Sequence, residues 1–77
     1  MEAAFVLIKT ERGAEADVLT DLRKVKGVNE AFVVYGAYDV IARLEAMTIQ
    51  ELRELILECI RKRDGIQSTL TMIVSTD

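Results

Sequence analysis

The sequence predicts an α+β fold in which two helices lie on one face of a four-stranded antiparallel sheet, and three observations predict it. Apolar residues recur at strand or helix spacing in the order strand-helix-strand-strand-helix-strand. The motif Arg23-Lys24-x-x-Gly27-Val28 returns as Arg61-Lys62-x-x-Gly65-Ile66, 38 residues later in a chain of 77, and Val18 and Leu19 map on Ile56 and Leu57. No proline and no low-complexity stretch divides the chain. A duplicated βαβ unit with right-handed crossovers is the ferredoxin-like βαββαβ arrangement, here one domain over residues 1–77.

Each element has its own signal. Ala3 to Ile8 is apolar at every position, which predicts a central strand covered on both faces. Glu11-Arg12-Gly13 reads as a loop and Ala14 to Lys26 as a helix, with Val18, Leu19, Leu22 and Val25 on its inner face. Gly27 follows the last basic turn, where a left-handed C′ residue is expected. Val28 to Tyr35 and Tyr38 to Glu45 form two strands joined at Gly36-Ala37, a connection short enough for an antiparallel hairpin. In the second of these strands Val40, Ala42 and Leu44 share the face that meets the helices. Thr48-Ile49-Gln50-Glu51 has capping-box spacing, with Thr48 accepting from the Glu51 amide and Glu51 reaching back. The helix it starts carries Ile49, Leu52, Leu55, Ile56, Cys59 and Ile60 on one stripe and ends at Asp64-Gly65. Ile66 to Ser75 is the last strand, with Leu70, Met72 and Val74 alternating against Thr69, Thr71 and Ile73.

Composition excludes several functions. Ten Lys and Arg against thirteen Asp and Glu leave a net charge of −3, without the positive stripe that displaces phosphate counterions from nucleic acid. No apolar run approaches the roughly 18 residues that cross a bilayer, and none has the flanks of a signal peptide. With no His and a single Cys, Cys59, neither an intramolecular disulfide nor a structural zinc site can form, so no metal and no cofactor is expected. A reduced cytoplasmic location follows.

Size adds a constraint. Area scaling gives about 4,700 Å² of surface for a folded monomer of this mass, with only about 60% of the chain's surface buried. Yet 51% of the residues are hydrophobic, and two helices cover only one side of the sheet. The other side of the first strand is apolar too, a patch that soluble monomers seldom expose. A two-fold partner packing sheet on sheet buries one self-complementary patch twice, which predicts a homodimer at least.

Catalytic chemistry has little support. There is no His to act as acid or base, and no Ser or Cys with a positioned base. Cys59 lies on an apolar stripe, where thiols are ordinarily inert. Two segments carry candidate binding groups instead. Gly36 permits a close approach to the main chain, Tyr38 offers an aromatic face with a polar tip, and Asp39 can accept from an ammonium group. Ser68, Thr69 and Thr71 place three hydroxyls within four residues, able to hold a carboxylate or amide. Taken singly, ordinary turn chemistry accounts better for the first segment, and strand propensity for the second.

Taken together, Gly27-Val28, then Val34-x-Gly36-x-Tyr38-Asp39, then Gly65-Ile66-x-Ser68-Thr69-x-Thr71-x-Ile73-Val74 resembles the RAM domain, the effector-binding domain of the Lrp/AsnC (feast/famine) transcription regulators. The resemblance spans essentially the whole chain and implies a non-enzymatic amino-acid sensor. It implies dimers formed through the sheets, which associate further into rings of about eight subunits. An amino-acid effector would sit in clefts between dimers, with Gly36, Tyr38 and Asp39 on one wall and Ser68, Thr69 and Thr71 near the other. Ala37 departs from the acidic residue often found there in the family. The DNA-reading helix-turn-helix has no counterpart in the sequence, so the resemblance is to a stand-alone RAM domain. Such a domain could co-assemble with full-length Lrp/AsnC regulators. Two other expectations stand beside this one: a purely structural oligomerisation module, and a small enzyme on the same frame.

Overall fold

A computed structural model describes residues 1–61 and 64–74. Its elements run β1 (Glu2–Thr10), α1 (Glu15–Arg23), β2 (Val28–Val33), β3 (Val40–Ala46), α2 (Ile49–Arg61) and β4 (Ile66–Ile73). The strands make one antiparallel sheet in the order β2-β3-β1-β4, so β1, with its apolar run from Ala3 to Ile8, lies between two neighbours, as predicted. This is the ferredoxin-like topology that two interleaved βαβ halves produce.

Alternation sorts the sheet into two faces. Ala4, Val6 and Ile8 of β1 and Val40, Ala42 and Leu44 of β3 are buried against the helices, together with Val18, Leu22, Leu52, Ile56 and Cys59. Phe5, Leu7, Ile41, Phe32, Leu70 and Met72 share the opposite face, since Phe5 pairs with Met72, Leu7 with both Ile41 and Leu70, and Phe32 with Ile41. No element of the described chain covers that face. Phe32, Leu70 and Met72 remain 51%, 45% and 48% exposed.

Several boundaries differ from expectation, each for a local reason. Helix α1 stops at Arg23 rather than Lys26, because the chain tightens there. The Lys24 amide donates to Asp21 O and Leu22 O, Val25 N to Leu22 O and Val28 N to Val25 O, which keeps Val25 buried while turning the backbone toward β2. Gly27 is therefore not the C′ residue of α1. Its φ of +105° is still left-handed, and a Cβ there would lie 2.6 Å from Leu55 Cδ2 of α2. Its repeat equivalent Gly65, at φ +88°, is crowded the same way, 2.8 Å from the Ala14 Cβ at the start of α1. The two halves thus use glycine for one purpose, close passage of a strand entry beside the other half's helix.

The β2–β3 connection is longer than a tight hairpin. Ladder pairing ends at Val33–Val40 and one further bond, Val34 N to Asp39 O at 2.8 Å, closes a loop over residues 34–39. Tyr38 and Asp39 belong to this loop rather than to β3, because the Asp39 amide turns away to donate to Ile8 O of β1 at 2.9 Å. At the start of α2 the Thr48 hydroxyl oxygen accepts from Glu51 N at 3.1 Å, as predicted. The return half of the box differs: the Glu51 carboxylate accepts a hydrogen bond from the Thr48 hydroxyl at 3.3 Å. Ile49 was expected on the inner stripe but is 41% exposed, because packing begins one turn later at Leu52. The predicted strand end at Ser75, and Lys62 within the repeat, lie outside the described residues.

Candidate functional site

The predicted site residues sit toward one end of the sheet. Val40, Ile8 and Thr69 form a single row across β3, β1 and β4, so the 34–39 loop and the start of β4 flank the last residues of β1. With neighbouring strands about 4.8 Å apart, β3 and β4 stand about 10 Å from each other. Asp39 is the residue that crosses part of this gap. Besides its amide bond to Ile8, its Oδ2 accepts from Thr10 N at 2.9 Å and from the Thr10 hydroxyl at 3.3 Å. Thr10 is itself only 6% exposed and lies 3.4 Å from Glu15 Oε2 in the first turn of α1.

The three hydroxyls of β4 do not converge. Thr69 and Thr71 pair with Ile8 and Val6 on the helix-facing side and are half-buried, whereas Ser68 pairs with Lys9 and is exposed. Thr71 is also two residues farther from the loop than Thr69. Strand alternation therefore divides the predicted second wall, which residue types alone do not disclose. On the first wall Tyr38 is half-buried, while Gly36 is exposed at φ +145° with nothing within 4 Å of a Cβ built there. Glycine at position 36 answers to backbone geometry and not to a steric neighbour.

Thr10 and Glu15 were not singled out from sequence. The available signal was Thr10 itself, a polar residue closing the buried row Ala4, Val6, Ile8. A buried hydroxyl at that point requires a partner.

The open face of the sheet has a charged rim. Arg43 and Glu45 form an ion pair at 2.7 Å near one end, and Lys9 and Ser68 lie at the other. A hydrogen bond from Asn29, helped by the Arg43 guanidinium and opposed by partial burial, holds the Glu45 carboxyl below its ordinary range. Two surface clefts lie elsewhere: one of about 300 Å³ beside Arg23 and β2, and one of about 580 Å³ between Asp17, Asp21, Lys24 and Asp64. Neither is lined by a predicted site residue. Among the described residues no group of His, Cys, Asp and Glu could hold a metal ion, and no helix is long and apolar enough to cross a membrane.

The profile of the Lrp/AsnC ligand binding domain matches residues 3–76. The chain belongs to that family. Among relatives of this Lrp/AsnC domain, an uncharacterized HTH-type transcriptional regulator of Pyrococcus abyssi is 36% identical over 73 residues, covering 95% of this chain and 46% of that protein. The HTH-type transcriptional regulator FL11 of the same organism is 34% identical over 71 residues, covering 92% and 46%. The chain spans about half the length of the curated relatives it matches. Solved structures agree on the fold. The structure of FFRP-DM1 is 44% identical with a TM-score of 0.89, covering 97% of this chain and all of that one. A hypothetical protein of Pyrococcus horikoshii is 43% identical at a TM-score of 0.91, covering 100% and 93%. AsnC of E. coli is 26% identical at 0.86, covering 99% of this chain and 52% of its own. The role that this membership carries is regulatory and ligand-binding, in a family whose matched relatives are transcription regulators.

Proposed function

We propose that this chain is a non-enzymatic, cytoplasmic amino-acid-sensing module, one effector-binding domain that works as a homo-oligomer. The observation that carries the reading is the uncovered sheet face. Its centre is apolar, with Phe5, Leu7, Phe32, Ile41, Leu70 and Met72, and its ends are charged or polar, with Arg43, Glu45 and Lys9. An apolar centre inside a polar rim is the anatomy of a protein interface. Two such faces packed together make a dimer, and dimers closing into a ring of about eight would set the 34–39 loop of one subunit beside another.

The effector in this reading is an amino acid held between subunits by Gly36, Tyr38 and Asp39, with Ser68, Thr69 and Thr71 near the opposing wall. A neighbouring subunit resolves the difficulty that, within one chain, β1 separates the two groups. Support for the ligand class comes from the fold: a Neisseria meningitidis transcriptional regulator that shares it at a TM-score of 0.81 was solved as a complex with L-Met. Ligand bound across subunits favours the assembly that completes its pocket, and full-length Lrp/AsnC regulators are the partners through which that assembly would act.

A second reading, a purely structural oligomerisation module, is favoured by one specific observation: Asp39 already spends its Oδ2 on Thr10. Thermal unfolding with each of the twenty amino acids separates the two. A sensor is stabilised by a few of them, rising with the logarithm of concentration to about 2.7 kcal/mol at a hundredfold excess over Kd. A flat response to all twenty would leave the structural module.

A further inference from the structure

The Thr10 hydroxyl stands at an uncommon junction. It carries one proton, yet two carboxylate oxygens are within reach: Asp39 Oδ2 at 3.3 Å and Glu15 Oε2 at 3.4 Å. Thr10 is 6% exposed, and Asp39 and Glu15 are both half-buried around it. Asp39 also keeps the Thr10 main-chain N–H at 2.9 Å, which does not depend on the side chain. Glu15 lies in the first turn of α1, and Asp39 closes the 34–39 loop. A single donor between two like-charged acceptors can satisfy only one at a time, and at 3.3 and 3.4 Å either carboxylate is within its reach.

We propose that Thr10 is the positioning residue of the loop: its hydroxyl fixes the Asp39 carboxylate by a hydrogen bond, and Glu15 is the competing acceptor that can draw that hydrogen bond away and free the Asp39 carboxylate. Thr10 thereby links the loop that carries Gly36, Tyr38 and Asp39 to helix α1, and sets how firmly Asp39 is presented. Its bearing on amino-acid binding rests on the function proposed above; its hold on the loop does not. The competition has a signature that simple structural support lacks. Removing the donor loosens the loop, whereas removing the competitor tightens it.

The test is amide hydrogen exchange of residues 34–39 in the full chain as purified, compared across Thr10→Val, Thr10→Ser and Glu15→Ala. Thr10→Val keeps the shape and the main-chain donor but loses the hydroxyl, and exchange at Val34 and Asp39 is expected to rise roughly three- to tenfold, the loss of one hydrogen bond. Thr10→Ser restores the wild-type rate, and Glu15→Ala slows it. Unchanged loop exchange in Thr10→Val, or faster exchange in both Thr10→Val and Glu15→Ala, overturns the proposal. Amino-acid affinity, measured on the same proteins, is expected to fall by a similar factor in Thr10→Val and to recover in Thr10→Ser. A loosened loop with unaltered affinity removes Thr10 from the positioning of the site. Should the wild-type protein bind no amino acid, the sensor reading fails, and loop exchange by itself still decides whether Thr10 holds Asp39 against Glu15.

Discussion

At Asp39 one carboxylate has two demands on it. It anchors the 34–39 loop to the end of β1 through Thr10, and in the proposed function it also receives a ligand ammonium. The two roles separate by charge, because an amide oxygen still accepts from Thr10 N but attracts a cation far more weakly. Asp39→Asn is therefore expected to unfold within about 1 kcal/mol of wild type, while Asp39→Ala loses about 1–3 kcal/mol along with the loop anchor. Both lose the amino-acid response, read by thermal unfolding with and without ligand. A full response in Asp39→Asn would take the charge of Asp39 out of recognition. At this scale the sequence was only half legible. Gly36, Tyr38 and Asp39 stood out by type, but the split of Ser68 from Thr69 and Thr71 depends on register, and the junction of Thr10 with Glu15 depends on a tertiary contact between β1 and α1.

The elements themselves were more readable, because each is specified by a period that the chain repeats. The apolar run Ala3 to Ile8 in β1 marked a central strand, and Leu52, Ile56 and Cys59 marked the buried stripe of α2. What pattern could not supply was the ends. Helix α1 gives up its last predicted turn so that Val25 stays buried while the chain reverses toward β2, and β3 loses Tyr38 and Asp39 to a bond with β1. The exception is the start of α2, where the cap was legible because it is local. Thr48 Oγ1 accepts a hydrogen bond from the Glu51 amide, one of the N–H groups at the helix start that have no partner within the helix. Thr48→Ala is expected to cost about 1 kcal/mol, and Thr48→Ser to restore most of it. Chemical denaturation of the three proteins measures this, and equal midpoints would show that the cap contributes nothing.

For the whole molecule the governing fact is that two layers of structure leave a third side bare. The chain extends 36 × 22 × 17 Å, and its accessible surface of 5184 Å² exceeds the roughly 4,700 Å² expected for a folded monomer of its mass. Phe32, Leu70 and Met72, all half-exposed on one face, account for a surface that is disfavoured in water. This was legible from the alternation of β1 alone, since both its faces are apolar. How many copies meet was not, because ring closure depends on angles between subunits that no single chain encodes visibly.

The account rests on that bare face being an interface between copies, and the molar mass in solution at micromolar concentration tests it most directly. Light scattering on the wild-type chain and on Met72→Glu, which puts a carboxylate on the apolar patch at the β4 edge, is the decisive comparison. The account predicts a wild-type mass at an even multiple of 8.6 kDa, and for Met72→Glu a smaller assembly with unchanged circular dichroism. A wild-type mass of 8.6 kDa would contradict it.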